Sequence, residues 1–266
     1  MSSPRQVVMT VAMGPPIERL DRTFLSFAQN AQMELHAFII GPRLPERQFP
    51  KITYHLVVPT PDFSDPLREV YFRRLQLVDE VGAEFVLVVD CYDVLCLQTL
   101  PPIPELLGNA AIGACTEHSG SRYLLGQGYT SNYLNCGVTF WNAPASREIR
   151  REIFERGRAQ FRAVVDDQLA LNEVIHTRYY DQLRILPCQY NYRCYFGMTK
   201  KGWPTVTHLE GVMIYHNGFC IEAAKRLLPI RPKADLPPLA PDARPLTRNE
   251  QLWRRLKQRL RPHIIE

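Results

Sequence analysis

Phe85-Val-Leu-Val-Val-Asp90-Cys-Tyr-Asp93-Val-Leu95 is the stretch on which the fold turns. Five apolar residues, three of them valine, run without a break and stop at a carboxylate. A strand that is apolar throughout is buried on both faces, the habit of parallel sheets covered by helices. Asp90 then emerges at the carboxyl end of the strand, where open α/β sheets bind their ligands. Asp90 and Asp93 can converge on one hard cation such as Mn²⁺ or Mg²⁺, which takes oxygen ligands and also binds diphosphate oxygens. The alternative is plainer: one Asp caps a turn and the other is solvated.

Working outward, the flanking segments repeat the alternation of strand and helix. Gln6 to Ala12 is a short β-branched run closed by Gly14-Pro15-Pro16, and Leu20, Phe24, Phe27 and Ala28 recur at helical spacing between Ile17 and Asn30. Leu35 to Ile40 and Ile52 to Val58 read as strands, and Asp65 to Val81 as a helix. Beyond Asp93 the pattern predicts a strand over 110–116. A second, over 132–141, is interrupted near Asn135-Cys-Gly137. Helices follow over 146–161 and 167–176, with extended pieces near Ile185 and over 212–215. The expected architecture is α/β, with a mainly parallel central sheet flanked by helices. Residues 1–228 form the domain, 229–246 a proline-rich linker, and 247–266 a final helix opened by the capping box Thr247-Arg-Asn-Glu250.

Composition narrows the class. A chain of 266 residues, 45% hydrophobic and 22% charged, can bury a large core. A net charge of +5 suits a phosphate-bearing ligand but is too weak to imply nucleic acid, and none is expected as a partner. The seven cysteines include no C-x-x-C pair, so they read as free buried thiols of a reducing compartment rather than a zinc site or disulfide framework. No signal-peptide pattern opens the chain and no stretch nears the roughly 20 apolar residues of a membrane span, so it reads as cytoplasmic. The first strand leads into Ala12-Met-Gly-Pro-Pro, which is no G-x-G-x-x-G, and no P-loop occurs, which argues against a dinucleotide-binding dehydrogenase or a P-loop NTPase.

Five motifs stand in order along the chain: Val70-Tyr-Phe-Arg-Arg-Leu75 ahead of Asp90-Cys-Tyr-Asp93, then Tyr133-Leu-Asn-Cys-Gly-Val138, Asp166-Asp-Gln-Leu-Ala-Leu-Asn172, Leu186-Pro-Cys-Gln-Tyr-Asn191 and Tyr215-His-Asn-Gly218. With these the chain resembles the glycosyltransferases of the GT-A fold. Within them it is similar to family 8 and to the glycosyltransferase domain of procollagen lysyl hydroxylases. The resemblance covers nearly all of the chain up to the proline-rich tail. It implies a transferase that uses a nucleotide-sugar donor, a UDP-sugar, together with Mn²⁺ or Mg²⁺, and that retains anomeric configuration.

The same resemblance assigns roles. Asp90, Asp93 and His216 match the metal ligands, the D-x-x-D spacing being that of the lysyl hydroxylase domain rather than the D-x-D of most family 8 members. Asn217 and Gly218 lie against the phosphates. Thr10, Val11 and Ala12 match the segment that cradles uracil and ribose through backbone contacts. Asn135 and Gly137 match the N-x-G element near the donor sugar, with Cys136 in the middle slot; a bulge needing glycine fits the same residues. Asp166, Asp167 and Gln168 match the catalytic acidic element, with Asp167 given the larger role; Leu169 stands where many family 8 members have another aspartate. A helix N-terminus enriched in acids would look the same. Arg74, rather than Arg73, matches the basic residue that offsets diphosphate charge, a solvated helix arginine being the alternative. Tyr92 stacks on ribose or base, or packs on the sheet. Lys200 and Lys201 are further candidates to steady the leaving group.

The acceptor (a glycan, a lipid-linked sugar or a protein) would meet the variable loops at 117–131 and 195–207. The final helix carries Leu252, Trp253, Leu256 and Leu260 on one stripe and Arg254, Arg255, Lys257, Arg259 and Arg261 on another. Such a helix docks on the domain or gives peripheral membrane contact through 247–261. Two other functions stay open: a GT-A scaffold without catalysis that acts as a binding protein, and a nucleotidyltransferase.

Overall fold

The computed structural model describes residues 3–13, 17–60, 66–91, 94–116, 133–160, 166–193 and 211–216. The linker and final helix expected over 229–266 lie outside them.

The first half builds as its apolar runs require. β1 (Gln6–Met13), β2 (Glu34–Ile40), β3 (Ile52–Val57) and β4 (Phe85–Val89) lie side by side and parallel. Successive residues of β1 point to opposite faces: Val7, Met9 and Val11 enter one core, Val8 and Ala12 the other. On the first face lie α2 (Pro66–Leu77), α4 (Arg147–Gln160) and α5 (Asp166–Arg178), bringing Phe72, Leu75, Ile153 and Val174. On the second lie α1 (Ile17–Asn30), with Phe24 and Phe27, and the short α3 (Ile103–Leu107). Continuous apolar strands are the consequence of this three-layer arrangement, because both faces of the central strands are covered.

β6 (Ile112–Thr116), β7 (Leu134–Asn142) and β8 (Leu183–Ile185) complete a seven-stranded sheet of order β3-β2-β1-β4-β7-β6-β8. β7 runs antiparallel to both its neighbours, so the sheet is mainly parallel with one reversed strand. The expected interruption near Asn135-Cys-Gly137 is real on one side only. β7 is continuous against β4, but between Ala114↔Thr139 and Thr116↔Leu134 it passes four residues where β6 passes one. Residues 135–138 thus bulge beside the end of β4.

A small second sheet sits beyond that end: β5 (Val94–Cys96), β10 (Ile214–His216) and β9 (Tyr192–Arg193), with β10 in the middle. Neither β5 nor α3 was legible in the apolar pattern. Helix α2 is shorter than the 65–81 expected. Arg150 Nη1 takes the Leu75 carbonyl at 2.8 Å, and the chain tightens into turns at Asp79 and Glu80 before Gly82 (φ 62°) redirects it.

Candidate active site

Asp90 stands where β4 stops. Its N–H donates to the Gly137 carbonyl at 2.8 Å, carrying the β4–β7 pairing one residue further and fixing the carboxylate beside the bulge. The small sheet supplies the second element, pairing His216 with Val94, four residues beyond Asp90 in the chain. Nε2 of His216 ends 3.5 Å from Asp90 Oδ2. Both groups converge over the backbone of Gly137. A Cβ there would lie 2.3 Å from His216 Cε1 and 2.5 Å from Asp90 Oδ2, so any side chain would fill the space between them.

The third element is Arg74, on the face of α2 turned toward the sheet. Its guanidinium is buried, with Nη1 donating to Asp90 Oδ1 at 2.6 Å and Nη2 to Asp167 Oδ2. Burial alone would lower its pKa, but the charges of Asp167 and Asp90 outweigh it and hold the group well above its ordinary value. Arg74 is therefore no solvated helix arginine: it bridges two carboxylates from different elements. Cys136 fills the corner between them, its Sγ 3.1 Å from Arg74 Nη2 and 3.2 Å from Asp167 Oδ2. Burial, then the Asp167 charge, push this thiol well above its usual pKa, so it serves as a neutral donor.

Helix α5 opens into the same site. Asp167 Oδ1 accepts the N–H of Gln168 at 2.8 Å, and Gln168 Oε1 accepts Cys136 N–H and Asn135 Nδ2, each at 3.2 Å. One turn on, Asn172 copies a strand partner: its Oδ1 accepts Leu134 N–H at 2.6 Å and its Nδ2 donates to Leu134 O at 2.9 Å. That side chain locks the first turns of α5 to the start of the bulge.

No protein-family model and no curated protein sequence matches the chain. Among solved structures it is similar to the apo WbbM bifunctional glycosyltransferase, with a TM-score of 0.59 and 13% identity over 82% of this chain and 46% of that one. It is also similar to the galactosyltransferase LgtC in complex with donor and acceptor sugar analogues, with a TM-score of 0.58 and 17% identity over 89% of this chain and 98% of that one. The fold is GT-A-like. The chain spans less than half the length of WbbM, and at these identities the likeness is one of fold.

On this GT-A-like frame Asp90, His216, Gly137, Asn135, Arg74, Asp167 and Gln168 come together as one cluster. Thr10, Val11 and Ala12 lie at the end of β1 with buried side chains, Thr10 Oγ1 donating to Val89 O at 2.8 Å; what they can offer a ligand is backbone. Tyr92, Asp93, Asn217 and Gly218 lie outside the described residues, as do the side chain of Asp166, Lys200, Lys201 and both acceptor loops. Sequence reasoning gave no role to Asn191 or Tyr71. Asn191 bonds to both Asn135 and His216, and Tyr71 lies 5.5 Å from the Arg74 guanidinium, its pKa raised by burial and then by Asp90 and Asp167. The signal for Asn191 was its place at the end of Leu186-Pro-Cys-Gln-Tyr-Asn191, and for Tyr71 its place in Val70-Tyr-Phe-Arg-Arg-Leu75.

The donor set suits a divalent cation. A carboxylate oxygen and an imidazole nitrogen 3.5 Å apart can both lie about 2.1 Å from one ion. Glycine at 137 keeps that space open. Among the described residues no third His, Cys, Asp or Glu completes a metal-holding group. Asp93, the other expected ligand, directly precedes Val94, the β5 residue paired with His216.

Proposed function

We propose that the chain is a metal-dependent glycosyltransferase that moves a sugar from a nucleotide-sugar, a UDP-sugar, to a hydroxyl acceptor with retention of configuration. The observation that carries this reading is the convergence of Asp90 and His216 over a glycine at the carboxyl end of β4, with Asp167 and Gln168 on the next element inward. The finer likeness, to family 8 and the lysyl hydroxylase domain, belongs to the same reading.

Asp90 and His216, with Asp93, would hold Mn²⁺ or Mg²⁺. When bound, the cation supplies a Lewis acid for the charge that develops on a nucleoside diphosphate leaving group. The chain's own residues do the rest. Backbone at Thr10 to Ala12 receives the nucleoside. Asp167 and Gln168, held by Arg74 and by the Cys136 and Asn135 amides, face the transferred sugar, where a carboxylate hydrogen-bonds hydroxyls and steadies a cation-like transition state. Arg74 balances the charge of the two carboxylates from beneath, which leaves the diphosphate to the metal and to groups around Asn217 and Gly218.

The test is a thermal-shift screen of nucleotide-sugars with and without Mn²⁺, followed by a product assay on any hit. Metal-dependent stabilisation by one donor with release of nucleoside diphosphate is the expected result. Release of pyrophosphate would instead mark a nucleotidyltransferase, and no response to any nucleotide a binding scaffold. Turnover that survives both Asp90→Asn and His216→Ala unchanged would sink the assignment.

A further inference from the structure

The amide side chains behind His216 can be oriented without ambiguity, because one end of their chain is a backbone N–H. Gly137 N–H donates to Asn135 Oδ1 at 2.9 Å, and a backbone amide can only donate. The Asn191 atom 2.7 Å from that same oxygen must therefore be Nδ2. Its other end, Oδ1, then faces His216 Nδ1 at 2.9 Å. An amide oxygen only accepts, so Nδ1 carries the proton. In the neutral ring the lone pair falls to Nε2, the atom turned toward Asp90 Oδ2. All three side chains are buried, at 1–2% exposure, so the relay is shielded from competing water.

The structure assigns Asn191 as the positioning residue of the metal site: through Asn135 and the backbone of Gly137 it fixes the Nδ1–H tautomer of His216 and so presents Nε2 beside Asp90 as a ligand. The assignment rests on the metal reading above for its purpose but not for its geometry. The opposite tautomer would set the Nδ1 lone pair against an amide oxygen at 2.9 Å, a buried acceptor–acceptor contact. The relay also couples ligand and cradle, since Gly137, whose missing side chain leaves room for the ion, is the donor that orients the first amide. Outer-shell partners of this kind hold a ligand ring in place and raise its basicity.

The first measurement is the pair of imidazole nitrogen chemical shifts of His216 in the metal-free protein, at a pH where the ring is neutral. The Nδ1–H tautomer is expected; the Nε2–H tautomer overturns the assignment, with no variant needed. The second is Mn²⁺ binding by calorimetry in the presence of UDP, for wild type and two variants. Asn191→Asp keeps an acceptor for Nδ1–H but loses the donor to Asn135, so tautomer and metal affinity should hold while stability falls. Asn191→Leu loses both, and metal affinity should drop about ten- to hundredfold. Equal affinity in Asn191→Leu and wild type overturns the assignment, as does an equal loss in both variants, which marks a merely structural residue. A wild type that binds no Mn²⁺ at all undoes the metal reading instead, and the chemical shifts still decide the tautomer. If Asn191→Leu does not fold, the wild-type shifts and Asn191→Asp decide the matter.

Discussion

At the scale of single residues, two positions carry the site's geometry: Gly137 and Arg74. An alanine methyl at 137 needs about an ångström that neither His216 nor Asp90 can give while staying together, since overpacked buried sites relax only in part. Gly137→Ala should weaken Mn²⁺ binding at least tenfold and cost about 1–3 kcal/mol of stability, read by calorimetry and urea unfolding. Metal affinity equal to wild type would show that the two ligands do not meet over this residue. Arg74 is a different case, because its loss leaves two carboxylates facing one another with no cation. Arg74→Met should destabilise the protein by about 3–5 kcal/mol, the scale of a broken buried ion pair. Adding Asp167→Asn should restore part of that, and the double variant should be more stable than Arg74→Met alone. If instead the two losses simply add, Arg74 is not neutralising Asp167. Asp90 could be found from the sequence because an apolar strand must end where a charge leaves the core. The opposite is true of Arg74: a helix arginine next to another arginine carries no mark of burial, and only the contact with Asp167, 93 positions away, reveals it.

At the scale of elements, the first half of the sheet could be read directly because β1, β2 and β4 are apolar runs buried on both faces, closed by glycine after β1 and β2 and by Asp90 after β4. The reversed direction of β7 could not, since a strand looks alike read either way and its partners lie far off in sequence. The same holds for the three-residue β5, too short to show a period, although it pairs with β10, expected as an extended piece over 212–215, to bring His216 to Asp90. What fixes α5 against the bulge is equally non-local. Asn172→Leu would strand the N–H and carbonyl of Leu134 without their side-chain partner, at about 1–3 kcal/mol for each buried group. The expected outcome is a loss of about 2–6 kcal/mol in urea unfolding together with weakened donor binding, because Gln168 loses its register with Cys136. A stability loss with donor binding untouched would separate the clamp from the site.

At the scale of the whole molecule, the groups that matter for pH are those the three-layer packing has taken out of water. Among the described residues Cys91, Cys96, Cys115 and Cys136 are buried thiols outside any disulfide. Burial pushes the Cys96 thiol up to about 12 from an ordinary 9.0, and burial likewise raises Cys136 and the phenol of Tyr71. A raised folded-state pKa means that the unfolded chain loses its proton first. Below about pH 9 both states hold it and the contribution to stability is complete; above that, unfolding is drawn forward by ionisation until the folded group also titrates. Stability should therefore fall as pH rises from about 9 toward 12, with a slope near 1.4 kcal/mol per pH unit for each fully titrating thiol. Cys96→Val tests this at one position, since valine keeps the apolar volume and removes the proton. Urea unfolding at a series of alkaline pH values should show a shallower fall for the variant than for wild type, whatever the offset at neutral pH. Parallel slopes would mean that the Cys96 thiol ionises alike in the folded and unfolded chains, and that α1 and β5 do not seal it from water.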